Sequence, residues 1–151
     1  MKASFCFLFC VMASLSVTAR LGYTSNQCDR KYGEWEKAVG ENIRLYNVGG
    51  MQVACMFLDD ACEMIRYCYG TAEPKTSEIE EILKKNGGAD HWNQYEKYQW
   101  RARSRSNPKS AELYMYEKRI YLSIQTDKYT KWFREKMDKE EKERKDRSKE
   151  L

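Results

Sequence analysis

Apolar residues recur at spacings of three and four along several stretches of this chain, and that spacing predicts helices. Tyr32, Trp35, Val39 and Ile43 share one face of a first helix, which Gly33 and Gly40 weaken. Residues 28–46 and 51–69 read as a helical hairpin turning at Asn47-Val48-Gly49-Gly50, with Asp59-Asp60 as the N-cap of a run over 61–69. Ser77-x-x-Glu80 is a capping box for a short helix that buries Ile79, Ile82 and Leu83 and stops at Asn86-Gly87-Gly88. Asp90 caps a fourth helix carrying Trp92, Tyr95 and Tyr98. Asn107-Pro108 opens another with Leu113, Tyr116, Ile120 and Ile124 on one side. The tyrosine-rich run 114–124 also suits a strand. Helix is preferred there because no second convincing strand exists to pair with it. Asp127 caps the last helix, whose apolar residues are Tyr129, Trp132, Phe133 and Met137. The fold class expected is all-α, a small bundle of four to six short helices.

The ends of the chain differ from its middle. Lys2 followed by the apolar stretch 5–13 and by Val17-Thr18-Ala19 has the pattern of a signal peptide cleaved after Ala19. From Asp138 onward the sequence is almost purely charged, a solvated helix extension or a disordered end. The expected organisation is therefore a leader at 1–19, a single domain at 20–137 and a charged tail at 138–151. No later window is apolar enough for a transmembrane anchor, so the mature chain is expected to be secreted and extracellular.

Secretion changes how the cysteines are read. Cys6 and Cys10 leave with the leader, and Cys28, Cys55, Cys62 and Cys68 remain. An even number in an oxidising compartment predicts two disulfides in the N-terminal half. Every pairing of these four joins two of Cys55, Cys62 and Cys68. Residues six or seven apart on one helix lie about 9 to 10.5 Å apart along its axis, beyond disulfide reach, so a helix over 51–69 has to break. Cys28–Cys68 with Cys55–Cys62 is the favoured pairing, and Cys28–Cys55 with Cys62–Cys68 the alternative. The Cys-x6-Cys spacing of Cys55 and Cys62 is similar to the first cysteine pair of insect chemosensory proteins. It covers eight residues, and their second pair, Cys-x-x-Cys, has no counterpart after Cys62, so no family is assigned.

Composition narrows the chemistry. With one histidine, His91, the chain excludes schemes that need two imidazoles. No EF-hand loop, phosphate-cradling glycine loop or nucleophile elbow occurs. The reading is non-enzymatic, with no cofactor and no metal. Lysine and arginine total 27 against 23 acids, and loss of Lys2 with the leader leaves 26, a mature charge of +3. The most polarised stretch holds Lys97, Arg101, Arg103, Arg105 and Lys109, interleaved with Trp92, Tyr95, Tyr98 and Trp100. Guanidinium groups among aromatic faces suit anionic partners. A secreted effector or toxin-like protein that binds an extracellular protein, receptor or anionic surface, with no genomic nucleic acid, is the function expected, and Trp92 to Lys109 its contact surface. The alternative is a carrier of a small hydrophobic ligand in a helical cavity lined by Trp35, Met56, Phe57, Met64, Ile120 and Trp132.

Overall fold

In the computed structural model, which describes residues 20–40, 42–88, 90–104 and 107–148, the run 51–69 is a β-hairpin. The chain order is α1 (Ser25–Tyr32), β1 (Lys37–Val39), β2 (Ile43–Val48), β3 (Met51–Leu58), β4 (Ala61–Gly70), α2 (Thr76–Gly87), β5 (Trp92–Glu96), β6 (Gln99–Ala102), β7 (Lys109–Tyr116), β8 (Arg119–Thr126) and α3 (Asp127–Arg147). All pairings are antiparallel, in the order β1-β2-β3-β4-β8-β7-β6-β5. The expected all-α bundle is thus overturned: the protein is mostly β, with three helices among the described residues. The leader at 1–19 and Arg105 lie outside the described residues.

Three two-residue turns carry most of the difference. A type I′ hairpin turn requires positive φ at both central residues, which glycine and, less readily, aspartate accept. Gly49 and Gly50 stand at φ 59° and 85°, Asp59 and Asp60 at 52° and 57°, and Glu117 and Lys118 at 47° and 63°. Asp59-Asp60 therefore turns a hairpin and does not cap a helix over 61–69. Asp60 still serves a helix end: its Oδ1 accepts from Ser25 N (3.2 Å) and Ser25 Oγ (2.8 Å) in the first turn of α1. The first helix is short because Gly33, at φ 85°, ends it at Tyr32. Its start is a capping box of Thr24 and Gln27.

The sheet has two unlike faces. Across one run Cys55, Ile65, Ile124, Ala111 and Trp100 in register, with Val53, Tyr67, Leu122 and Leu113 beside them. These residues form the main core with α1 and with Ile79, Ile82 and Leu83 of α2. On the other face α3 begins against Met56, Leu58 and Met64, which cluster with Tyr129 and Trp132. Strands β3 and β4 are buried on both faces, so apolar residues follow one another without strict alternation. The helical expectation for this run rested on Asp59-Asp60 as an N-cap, with no alternation there to argue against it.

Helices α2 and α3 stand close to where the pattern placed them. The cap of α3 is Thr126, whose Oγ1 accepts from Tyr129 N (3.2 Å) and donates to the bulged, buried Glu63 (2.6 Å). Lys128 reaches both Glu63 (3.6 Å) and Asp59 (2.8 Å), tying α3 to the β3–β4 hairpin. Beyond Met137 the helix continues to Arg147 with every residue exposed.

The expected disulfides are absent: the four cysteines of the described residues are all unbonded. Cys28 of α1, Cys55 of β3 and Cys62 of β4 meet inside the main core, with their sulfurs within 4.8 Å of one another. Cys68 stands opposite Gln52 and Tyr121, in the alternation of Arg66. The sheet separates it from the other three, so neither Cys28–Cys68 nor Cys62–Cys68 forms.

The chain repeats one plan. An α-helix followed by a four-stranded meander occurs twice, α1 with β1 to β4 and α2 with β5 to β8, and the two meanders join only through β4 and β8.

Candidate functional site

Because side chains alternate across a strand, the residues between the core positions of β4, β8, β7 and β6 meet on the α3 face. One row there reads Arg66, Ser123, Glu112, Gln99. Gln125 and Ser110 flank it on one side, and Tyr121 and Tyr114 on the other. The first turns of α3 cover only part of this face. A pocket of about 310 Å³ remains, walled by Tyr95, Tyr114, Tyr129 and Phe133 and floored by the polar row.

Arg66 sets the character of the pocket. It is the lone cation in the apolar strand β4, with its guanidinium carbon 5.9 Å from the centre of the Tyr114 ring. Its Nε is buried without a hydrogen-bond partner, and no carboxylate among the described residues pairs with it. A buried donor left unsatisfied costs about 1 to 3 kcal/mol, more when charged, so the site favours an incoming acceptor. Glu112, the acid on the row, already accepts from Gln99 Nε2 (3.2 Å). Burial pushes the hydroxyls of Tyr114 and Tyr129 above the usual phenol range, which keeps both neutral. Tyr114 stacks on Tyr121 (5.7 Å, 21°) and Tyr129 on Phe133 (5.9 Å, 21°), so the walls are flat aromatic surfaces.

The residues expected to form one contact surface divide between the two faces. Trp92 and Trp100 pack against the main core on the α2 side. Tyr95 lies on the α3 face with Arg101, whose guanidinium carbon stands 4.6 Å above its ring. Tyr98 occupies the β5–β6 turn at φ 70°, its hydroxyl donating to Glu73 (3.3 Å). Lys109 is committed to Asp90 (2.8 Å) and to the Gly87 carbonyl (3.3 Å). Arg103 is exposed in the β6–β7 connection. Of this set only Tyr95 lines the Arg66 pocket. His91 is exposed in a separate cleft with Glu80, Lys84, Asp90 and Trp100, whose lining includes no serine or cysteine.

The residues expected around a helical ligand cavity are also parted. Met56, Met64 and Trp132 lie on the α3 side, Phe57 and Ile120 on the core side, and Trp35 is 43% exposed. Missed altogether were Arg66, Tyr114, Ser123 and Tyr129. The signal for them is the alternation Tyr121-Leu122-Ser123-Ile124-Gln125, together with one arginine inside an apolar run.

No family model, no curated protein and no solved structure matches the chain. Among the described residues no helix is long and apolar enough to cross a membrane.

Proposed function

We propose that this chain is an extracellular, non-enzymatic binding protein that accepts an anionic group on a flat apolar body in the Arg66 pocket. The observation that carries the reading is the buried, unpartnered Arg66 Nε inside a pocket with aromatic walls. Its volume of about 310 Å³ falls at the small end of ligand sites, matching a ring or two with a carboxylate, sulfonate or phosphate. Such a group, free or on a protein partner, gains charge-assisted bonds from the guanidinium and stacks on Tyr114 or Tyr129. Arg101 adds a second cation above Tyr95, on the outer rim of the same face. The extracellular setting rests on the leader-like pattern at 1–19.

The probe for this reading is 1-anilinonaphthalene-8-sulfonate, titrated by fluorescence beside its neutral analogue N-phenyl-1-naphthylamine. The wild-type chain is expected to prefer the sulfonate, with affinity falling as salt rises. Replacing Arg66 by Met keeps the apolar stem and removes the charge. It is expected to weaken sulfonate binding by about tenfold to 100-fold, the worth of a hydrogen bond to a charged group. Equal affinity for the two dyes, or for the two proteins, overturns the reading.

A further inference from the structure

We infer that Cys28, Cys55 and Cys62 form a buried three-coordinate site for one cuprous ion. The inference stands apart from the Arg66 pocket, which lies on the opposite face of the sheet. The three sulfurs come from α1, β3 and β4, and each residue is 0% exposed. All three lie within 4.8 Å of one another, so the centre of the triangle is no more than about 2.8 Å from each sulfur. Metal–thiolate bonds run roughly 2.3 Å, and a shift of about 0.5 Å per sulfur closes the cage.

An odd number of thiols gathered at one point also suits a cage better than a pair, since a bond between two of them leaves the third unmatched in the core.

The donor set selects the ion. Three thiolates are soft ligands, which favour cuprous copper or zinc. Zinc completes a fourth position with histidine, carboxylate or water. The lone histidine, His91, is exposed in a separate cleft, outside the buried core that holds the three sulfurs. Asp29, the acid next to Cys28, is committed to Arg44 (2.6 Å) and Tyr46 (2.8 Å). The core cluster that encloses the sulfurs, with Tyr46, Phe57, Ile65 and Tyr67, supplies no imidazole or carboxylate for that position. Cuprous copper is satisfied by three sulfurs.

The protonation pattern agrees with this geometry. Hydrogen bonds from the thiols of Cys55 and Cys62 hold the Cys28 sulfur well below the usual thiol range. The same bonds to Cys28 push Cys55 and Cys62 up. Binding forms three copper–sulfur bonds and releases the thiol protons to solvent, so affinity rises with pH. Copper enters and stays in the +1 state, and no electron is transferred.

The experiment is an anaerobic titration of the full reduced chain with Cu(I) against the chromophoric chelator bicinchoninate, followed by copper-edge x-ray absorption. One ion per chain is expected, with three sulfur neighbours. Cys28→Ala, Cys55→Ala and Cys62→Ala are each expected to weaken binding by at least about 100-fold, while Cys68→Ser leaves it unchanged. An alanine at so buried a position can unfold the chain, and the wild-type absorption spectrum then decides. Absence of 1:1 binding, fewer than three sulfur neighbours, or loss of binding in Cys68→Ser overturns the inference.

Discussion

Thr126 performs three tasks with one hydroxyl. It caps α3, satisfies the buried Glu63 and, through the chain turn it fixes, brings Lys128 to Glu63 and Asp59. Thr126→Ala removes a cap bond and the hydroxyl that Glu63 accepts from, leaving that carboxylate with Lys128 at 3.6 Å. The expected loss is about 2 to 3 kcal/mol by urea unfolding, while Thr126→Ser, which keeps the oxygen, costs less than about 1. Two exposed carboxylates add an acid limb to stability. The Ser25 hydroxyl and amide hold Asp60 below the ordinary carboxylate range, and Lys128 does the same for Asp59. A depressed folded pKa stabilises above the unfolded value of about 3.9 and ceases to do so as pH falls through the folded one. The urea midpoint is therefore expected to drop below pH 4, and Asp60→Asn, which tolerates the positive φ, is expected to drop less. An undiminished drop in that variant refutes the assignment.

At the level of elements, the two helices that the pattern located, α2 and α3, are the longer two, of 12 and 21 residues. The strands escaped for two physical reasons. Met51–Leu58 and Ala61–Gly70 are covered on both faces, so their apolar residues carry no period of two. In β8 the alternation of Leu122 and Ile124 with Ser123 and Gln125 was present, but Leu113, Tyr116, Ile120 and Ile124 matched a helical template across what is in fact a hairpin. Gly49-Gly50 was legible as a two-residue turn, whereas Glu117-Lys118 was not, because neither residue favours positive φ. The Arg66 pocket needs the paired strands β4, β8, β7 and β6 before it exists, so no single segment announces it. Gly87 ends α2 under the indole of Trp92, and a Cβ there would stand 2.6 Å from Trp92 Nε1. Gly87→Ala should push Trp92 off the helix and cost about 1 to 3 kcal/mol, read as a lower Tm and altered tryptophan fluorescence. An unchanged Tm and emission maximum contradict that packing.

The molecule as a whole is a sheet with one closed face and one half-open face. The closed face holds nearly all the buried apolar residues and, at the α1 end, the three gathered thiols. The half-open face exists because α3 leaves the sheet after its first turns and runs on, exposed, to Arg147. Charge-rich sequence beyond Asp138 therefore frees the pocket from being covered by its own helix.

The seam between β4 and β8 has a consequence for how the polypeptide could be cut. Among the described residues each meander pairs only with its own neighbours, and the seam is the one ladder that crosses from the first half to the second. Severing the backbone after Gly88 breaks no strand and leaves four strands in each fragment, with α1 and α2 in the first and α3 in the second. The fragments 20–88 and 89–148, co-expressed as separate chains, are expected to find each other and restore the native far-ultraviolet dichroism and the Arg66 pocket. Breaking the edge rather than the backbone should prevent this: Ile65→Pro removes a ladder amide from the seam strand. Reconstitution that survives Ile65→Pro would show that something other than this edge brings the halves together.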